Sequence, residues 1–176
     1  MTVLEKEAEM EELIGEGRFL RFRRRGAWEF VERTAGHGVA LIAVDEGHLL
    51  LVEQYRPPVG RRVVDIPAGL VGDEGRTESL EEGARRELLE ETGYLAGRME
   101  LLTEGPPSPG VCSEVVTFFR ACDLEKLHEG GGEPGEQIAV HRVPLLEARE
   151  WLERRRREGT MLDPRVYVAL YFAQSA

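Results

Sequence analysis

Two apolar runs in the first third of the chain predict a buried β-hairpin. Val39 to Val44 and Leu49 to Gln54 flank Asp45-Glu46-Gly47, which is typical of a tight turn between strands. Arg62 to Ile66 predicts a further short strand. The breaking sequence Pro67-Ala68-Gly69 is expected to end it.

Upstream of the hairpin, residues 18 to 34 predict two short antiparallel strands. Arg18 to Arg24 and Trp28 to Arg33 are separated by Gly26. Because an isolated hairpin is only marginally stable in water, we expect this piece to dock on another surface. The acidic segment Met1 to Gly17 is interpreted as a frayed or helical lead-in.

The middle of the chain predicts one helix, at about residues 78 to 92. A glycine-rich loop leads to Thr77, which is the expected N-cap. Ala84 and Leu88 form an apolar stripe that would seat the helix on a sheet. Gly93 is suited to end it, because glycine is favoured just after a helix.

The C-terminal half predicts a mixture of short strands and helices. Three strands are expected at Met99–Thr103, Val115–Ala121 and Ile138–Val143. Two helices are expected at residues 144–157 and Pro164–Ala173. Two loops are expected at Pro106–Gly110 and residues 129–136. This order predicts an α/β or α+β fold.

Length and charge narrow the class of protein. The 176 residues suffice for one domain and a small additional module. A net charge of −10 argues against nucleic acid as a partner, although the basic runs Arg21–Arg25 and Arg154–Arg157 leave RNA binding as an alternative to solvated faces. No apolar run approaches the roughly 18 residues of a membrane span, and no signal peptide is recognisable. With Cys112 and Cys122 expected to be reduced, we expect a cytoplasmic protein.

Three carboxylates are expected to crowd one face of the predicted helix. Glu87, Glu90 and Glu91 stand at positions i, i+3 and i+4. Like charges at this spacing repel one another, and a hard divalent cation such as Mg²⁺ would neutralise them. The alternative is a solvated acidic face, because Glu is abundant in this chain.

The three glutamates belong to a longer pattern. Gly72 is followed after five residues by Glu78 and, after seven more, by Arg86-Glu87-Leu88-Leu89-Glu90-Glu91-Thr92-Gly93-Tyr94. This pattern resembles the Nudix box, the signature of the Nudix hydrolase family, with Tyr94 in place of the usual aliphatic residue. The resemblance implies that Arg86 pairs with a carboxylate and orients the cluster, and that Glu78 supports it.

The resemblance implies a mixed-sheet α/β/α sandwich with a small N-terminal antiparallel β module. It also implies cleavage of a nucleoside diphosphate linked to another moiety, with two or three Mg²⁺ ions, or Mn²⁺ instead. The expected metal ligands are Glu87, Glu90, Glu91 and the carbonyl of Ala68. In close relatives the box begins at the glycine after that alanine, whereas here it begins at Gly72, so the loop is longer.

Several positions outside the box resemble the ADP-ribose pyrophosphatases of this family. Pro109 follows the box at the distance at which that subfamily carries a proline. Its neighbours Ser108 and Gly110, and Glu114 beyond them, are expected to bind substrate. Arg56, in a stretch that also resembles the subfamily, would contact a phosphate as a fixed cation.

The resemblance also implies an adenine-binding strand. Trp28 is expected to stack on the adenine of the substrate, and Glu29 is expected to accept a hydrogen bond from its amino group. Arg33 and Leu70 complete the expected substrate-binding set. The loop containing Glu136 resembles the one that supplies the general base. Glu90 and Glu91 count among the expected catalytic residues with Glu136 and Arg86, while Glu133 and Glu114 are the alternative bases.

Plainer interpretations stand beside these roles. Trp28 could be an ordinary core or interface aromatic, Arg56 could pair with a surface carboxylate, and Glu136 could be merely solvated. The resemblance further implies a homodimer with swapped N-terminal strands, in which Trp28 and Glu29 serve the partner's site. Residues 1–35 would form this dimer module, and residues 36–176 the hydrolase domain.

The sequence thus predicts an Mg²⁺-dependent enzyme that converts ADP-ribose to AMP and ribose 5-phosphate. The alternatives are a hydrolase of another nucleotide sugar or of a dinucleotide, and a regulator that binds ADP-ribose without hydrolysing it. Neither nucleic acid nor membrane is an expected partner.

Overall fold

A mixed eight-stranded sheet forms the centre of the structure, a computed structural model that describes residues 11–73, 75–132 and 135–174. Its strands are β4 (His37–Asp45), β5 (His48–Arg56), β6 (Arg61–Asp65), β7 (Ala68–Val71), β8 (Tyr94–Gly105), β9 (Val116–Lys126), β10 (Ala139–Pro144) and β11 (Met161–Leu162). Three helices cover it: α1 (Leu80–Thr92), α2 (Ala148–Arg157) and α3 (Arg165–Ala173). No helix in the described part of the chain is long and apolar enough to cross a membrane.

Strand β4 joins the two halves of the sheet. One part of β4 pairs with β7 antiparallel and with β9 parallel, and its end pairs with β5. The main order is β11-β6-β5-β4-β9-β8, with β10 added beside β5. The predicted hairpin is therefore confirmed as the middle of the fold.

Hydrophobic side chains cover both faces of the sheet, which explains why β4 and β5 are apolar without interruption. On one face, Leu41 packs in a cluster with Ala84 and Leu88 of α1. On the other face, Ile42 packs in a cluster with Leu152 of α2 and with side chains of α3. The result is the predicted α/β/α sandwich.

A separate three-stranded sheet precedes this core. It consists of β1 (Glu11–Glu16), β2 (Leu20–Arg25) and β3 (Trp28–Arg33), in that order and antiparallel. The predicted pair β2–β3 is confirmed. The lead-in was wrongly predicted from Glu11 onward, since cross-strand ion pairs such as Glu11 with Arg23 and Arg25 hold it as a strand. Residues 1–10 lie outside the described part.

Helix α1 begins two residues later than predicted. Ser79, rather than Thr77, is the N-cap: its hydroxyl accepts from the Glu82 amide, and the Glu82 carboxylate accepts from the Ser79 amide. The reciprocal pair fixes the start because it satisfies two amides. At the other end Gly93 closes the helix with a left-handed φ of 76°, as predicted.

Other boundaries differ where tertiary pairing overrides local signals. The predicted loop after Pro67 contains strand β7, because residues 68–71 pair with β4. Strands β8 and β9 run well beyond their apolar centres as one long antiparallel ladder. The predicted helix at 144–157 divides into a 3₁₀ turn, Leu145–Glu147, and α2.

Candidate active site

A cleft of about 870 Å³ lies where α1, β7 and the ends of several other strands meet. We call it the central cleft. Ten of the residues predicted from the sequence line it: Arg33, Arg56, Ala68, Leu70, Arg86, Glu87, Glu90, Glu91, Glu114 and Glu136. They come from distant parts of the chain. The fold therefore brings the residues of the Nudix box together with predicted residues that lie outside the box.

Four predicted residues do not line the central cleft of the same chain. Trp28 is 66% exposed on the N-terminal sheet, and Glu29 beside it accepts a hydrogen bond from Arg24. The carbonyl of Ser108 accepts from backbone amides in its own turn, and Gly110 also lies outside the cleft lining. Of the candidate bases, Glu133 lies outside the described residues.

Arg86 connects the acidic residues of the Nudix box. It donates to Glu78 at 2.8 Å, to Glu87 at 2.8 Å and to Glu90 at 2.9 Å, and also to the carbonyl of Leu70 at 3.0 Å. The hydrogen bond to Glu78, more than any other contact, raises the pKa of Arg86 far above its ordinary value. Its charge is therefore permanent, and it anchors α1 to β7.

Glu91 is a buried carboxyl group without a cationic neighbour strong enough to offset its burial. It is 4% exposed, and its Oε2 accepts a hydrogen bond from the amide of Ala68 at 3.0 Å. Burial raises the pKa of Glu91 to about 8, the Ala68 amide offsets this only partly, and the charge of Glu87 adds to the rise. A bound cation would reverse this balance by stabilising the ionised form.

Two glycines let α1 and its carboxylates approach β7 closely. A Cβ atom at Gly69 would overlap the carboxyl group of Glu87, so this position keeps the carboxylate against the strand. A Cβ atom at Gly83 would lie 2.5 Å from Cγ2 of Val71, so the helix backbone packs directly on β7. The height of the carboxylates above the sheet depends on both contacts.

The donors at this place fit a hard divalent cation. Glu87, Glu90 and Glu91 supply carboxylate oxygens, which Mg²⁺ prefers, and a cation at this place would favour the ionised form of the buried Glu91. As the side chains stand, no three His, Cys, Asp or Glu residues in the described part of the chain are grouped tightly enough to chelate an ion. Glu87 and Glu90 instead share the Nη1 of Arg86, so holding a metal would require their carboxylates to turn away from it.

The wall formed by the start of α3 was not anticipated. Asp163 and Arg165 line the central cleft, and Arg165 binds Asp163 and the buried Asp65 through its guanidinium. Burial raises the pKa of Asp65 to about 6 in spite of this cation. An Asp two residues before an Arg at a helix start is an ordinary surface pattern, so no local pattern indicates that these groups face a cleft.

The lining of the cleft also includes other residues that the sequence did not single out. Arg33 donates to Glu114 at 2.7 Å, which joins two predicted residues directly. Asp73 and Arg76, from the loop between β7 and α1, and Glu104, at the end of β8, also line the cleft. Asp73 and Arg76 fall at positions that the Nudix pattern leaves open and Glu104 lies beyond the pattern, so only the fold could place them here.

With this geometry established, comparison with known proteins defines the class. The family model described as the NUDIX domain matches residues 33–162, which is most of the chain. The chain therefore belongs to the Nudix family. Nudix hydrolases generally use a divalent metal, typically Mg²⁺.

Individual relatives carry more specific names than the family. The ADP-ribose pyrophosphatase of Bacillus subtilis (strain 168) is 40% identical over 119 residues, which are 66% of this chain and 63% of that protein. The methanol dehydrogenase activator of Bacillus methanolicus is 33% identical over 77% of this chain and 71% of its own length. A GDP-mannose pyrophosphatase of Enterobacter sp. (strain 638) is 29% identical over 90% of this chain and 81% of its own.

A crystal structure described as an ADP compounds hydrolase shares the fold. Its TM-score is 0.72 at 23% identity, and the match covers 95% of this chain and 91% of that chain. The relatives and the family together define this chain as a hydrolase.

Proposed function

We propose that this protein hydrolyses the pyrophosphate bond of ADP-ribose to AMP and ribose 5-phosphate in the presence of Mg²⁺. One observation carries the proposal. The acidic face of α1 and the residues that resemble an ADP-ribose site, Arg33, Arg56 and Glu114, line the same cleft. The similarity to the B. subtilis pyrophosphatase supports it.

Glu87, Glu90 and Glu91, with the carbonyl of Ala68, would hold two or three Mg²⁺ ions, with Mn²⁺ as an alternative. When bound, these ions neutralise the diphosphate and make a water molecule a stronger nucleophile. Arg86 anchors the helix that carries these carboxylates through its hydrogen bonds to Glu78 and to the carbonyl of Leu70.

The other residues of the cleft bind substrate and move a proton. Glu136 is proposed as the general base that accepts a proton from the attacking water, and it lines the same cleft as the carboxylates of α1. Arg56 presents a fixed cation to a phosphate oxygen. Leu70 and Glu114 contact the rest of the nucleotide.

We also propose that two chains form a homodimer with exchanged N-terminal strands. Large apolar side chains are exposed on or beside the N-terminal sheet, a surface that a partner would cover: Leu13, Phe19, Leu20, Phe22 and Trp28. Residues 1–35 would form this module and residues 36–176 the hydrolase domain. In this dimer, Trp28 and Glu29 would contact the substrate in the partner's site. Ser108 and Gly110 are also proposed to bind substrate. We place the protein in the cytoplasm, with no nucleic acid or membrane as partner.

A direct assay tests the proposed activity. The purified protein is incubated with ADP-ribose and MgCl₂, and AMP is separated by ion-exchange chromatography, with a parallel sample containing excess EDTA. We expect AMP with Mg²⁺ and none with EDTA. Binding of ADP-ribose without AMP release would instead favour a non-hydrolytic regulator.

A nucleotide-sugar panel addresses the second candidate function. The GDP-mannose pyrophosphatase from Enterobacter matches a larger share of this chain than the ADP-ribose pyrophosphatase does, which favours GDP-mannose as the alternative substrate. Comparison of kcat/KM for ADP-ribose, GDP-mannose and a dinucleotide decides between them. A higher value for either of the latter two would reject ADP-ribose as the main substrate.

A further inference from the structure

Arg76 is a cation of the central cleft to which the Nudix pattern assigns no role. It is one of the five residues between Gly72 and Glu78 that the pattern leaves open. Its amide donates to the carbonyl of Asp73 at 2.9 Å, and this turn carries Arg76 and Asp73 to the cleft wall. Nη1 of Arg76 lies 4.0 Å from Oε1 of Glu90.

The charge of the cleft makes a cation at this place important. Eight of the residues that line it are acidic: Asp73, Glu87, Glu90, Glu91, Glu104, Glu114, Glu136 and Asp163. Five are arginines. The lining therefore carries more acidic groups than arginines. A diphosphate entering such a cleft is repelled unless further positive charge meets it.

We propose that Arg76 is a substrate-binding residue whose guanidinium contacts a phosphate oxygen of the nucleoside diphosphate, on the side of the cleft formed by Glu90. This inference rests on the proposed function and deepens it. The carboxylate of Glu90 lies 4.0 Å from Nη1 of Arg76 and 2.9 Å from Nη1 of Arg86, so the Arg76 guanidinium lies beside the acidic face of α1. A guanidinium presents planar N–H donors that suit phosphate oxygens.

The experiment compares two substitutions of Arg76 with a matched control. Arg76→Ala removes the cation, and Arg76→Lys keeps the charge but not the planar donors. Arg156→Ala is the control, because Arg156 also pairs with one glutamate but lies on α2 outside the cleft lining. KM and kcat for ADP-ribose are measured with Mg²⁺. The Kd of α,β-methylene ADP-ribose is measured by calorimetry with Mg²⁺ and again with EDTA.

We expect Arg76→Ala to raise KM and the Kd of the analogue by about tenfold, with and without metal, while kcat changes little. Arg76→Lys should recover part of this loss, and Arg156→Ala should match the wild-type protein. Thermal unfolding verifies that each variant is folded. If Arg76→Ala does not fold, the comparison is made with Arg76→Lys and Arg76→Gln.

Two results would overturn the inference. One is a Kd of the analogue that Arg76→Ala leaves unchanged. The other is a variant in which only the Mg²⁺ concentration needed for half-maximal activity changes, because Arg76 would then act on the metal site and not on the substrate. Failure of the proposed function is a separate outcome, recognised when the wild-type protein does not cleave ADP-ribose. In that case the same variants are compared with whichever nucleotide sugar of the panel is cleaved, and an unchanged KM there rejects the role of Arg76.

Discussion

At the scale of single residues, the environment of Glu91 best supports the proposed metal site. It is buried, it has one amide donor, and burial raises its pKa. We expect Glu91→Gln to lower kcat by about two to four orders of magnitude, since the amide cannot supply the anionic oxygen that a metal needs. Steady-state AMP release measures this loss.

The stability of the same variant separates a lost ligand from a lost fold. With EDTA present, the raised pKa means that Glu91 must take up a proton when the chain folds at neutral pH, and Gln avoids this cost, so Glu91→Gln should unfold at or above the wild-type temperature. Addition of Mg²⁺ should stabilise the wild-type protein more than the variant. Near-normal turnover, or equal stabilisation of both proteins by Mg²⁺, would remove Glu91 from the site.

Asp65 gives a prediction about pH. Its pKa in the folded protein is raised from 3.8 to about 6 by burial, so between these values the folded state binds more protons than the unfolded state. The contribution of Asp65 to stability is therefore greatest below pH 3.8 and is lost as the pH rises to 6, by roughly 3 kcal/mol.

Urea unfolding at several pH values tests this sign. Asp65→Asn cannot titrate, so its free energy of unfolding should rise relative to the wild type as the pH increases from about 4 to about 7. The attraction of Arg165 for the ionised carboxylate is already included in the raised pKa of Asp65, so loss of this ion pair adds no separate pH dependence. A difference that stays constant over this range would contradict the assigned shift.

At the scale of elements, Gly83 tests whether the packing of α1 on β7 sets the position of the carboxylates. Helix propensity alone favours Gly83→Ala by about 1 kcal/mol. The added Cβ would lie 2.5 Å from Val71, and overpacking of this kind costs about 1–3 kcal/mol. We therefore expect net destabilisation by urea unfolding and a lower kcat, because a displaced α1 moves the carboxylates that it carries.

Glu81→Ala is the control on the same helix, since Glu81 lies on its exposed side and pairs with Arg85. We expect a change in stability within about 0.5 kcal/mol and unchanged turnover. If Gly83→Ala instead proved more stable than wild type, propensity would have outweighed packing, and the close contact with β7 would not position the site.

The element scale also shows what could be predicted from the sequence. Strands β4 and β5, and α1 with its end at Gly93, follow from runs and spacings that are local in the chain. The start at Ser79 was missed because Thr77 has the same capping chemistry, and only the reciprocal bond with Glu82 distinguishes them. Strand β7 was missed because Pro67 and Gly69 are local breakers, whereas pairing with β4 is a tertiary contact.

For the site, the spacing of Glu87, Glu90 and Glu91 predicted that they lie on one face of a helix, because residues three and four positions apart share a helix face. Arg165 and Asp65 lie 100 positions apart in the chain and meet only because α3 packs beside β6. Charge pairs of this kind have no local signature, so sequence reasoning could not have found this wall of the cleft.

At the scale of the whole molecule, the remaining question is whether Trp28 acts on its own cleft or on that of a partner. Trp28 is exposed on the N-terminal sheet and does not line the central cleft of its own chain, which the proposed dimer would explain. Sedimentation analysis should give the mass of a dimer. Leu20→Glu combined with Phe22→Glu should shift it toward the monomer, because both exposed apolar side chains would be covered by the partner.

A mixing experiment decides between the two arrangements of Trp28. Trp28→Ala and Glu91→Gln are each expected to be poor enzymes alone. In a mixed dimer, the chain with an intact Glu91 would receive Trp28 from the other chain, so one complete site would form. After subunit exchange the mixture should therefore regain ADP-ribose hydrolysis with a KM close to that of the wild-type protein. If Trp28 serves its own chain, no dimer in the mixture contains a complete site, and the activity would equal the average of the two variants.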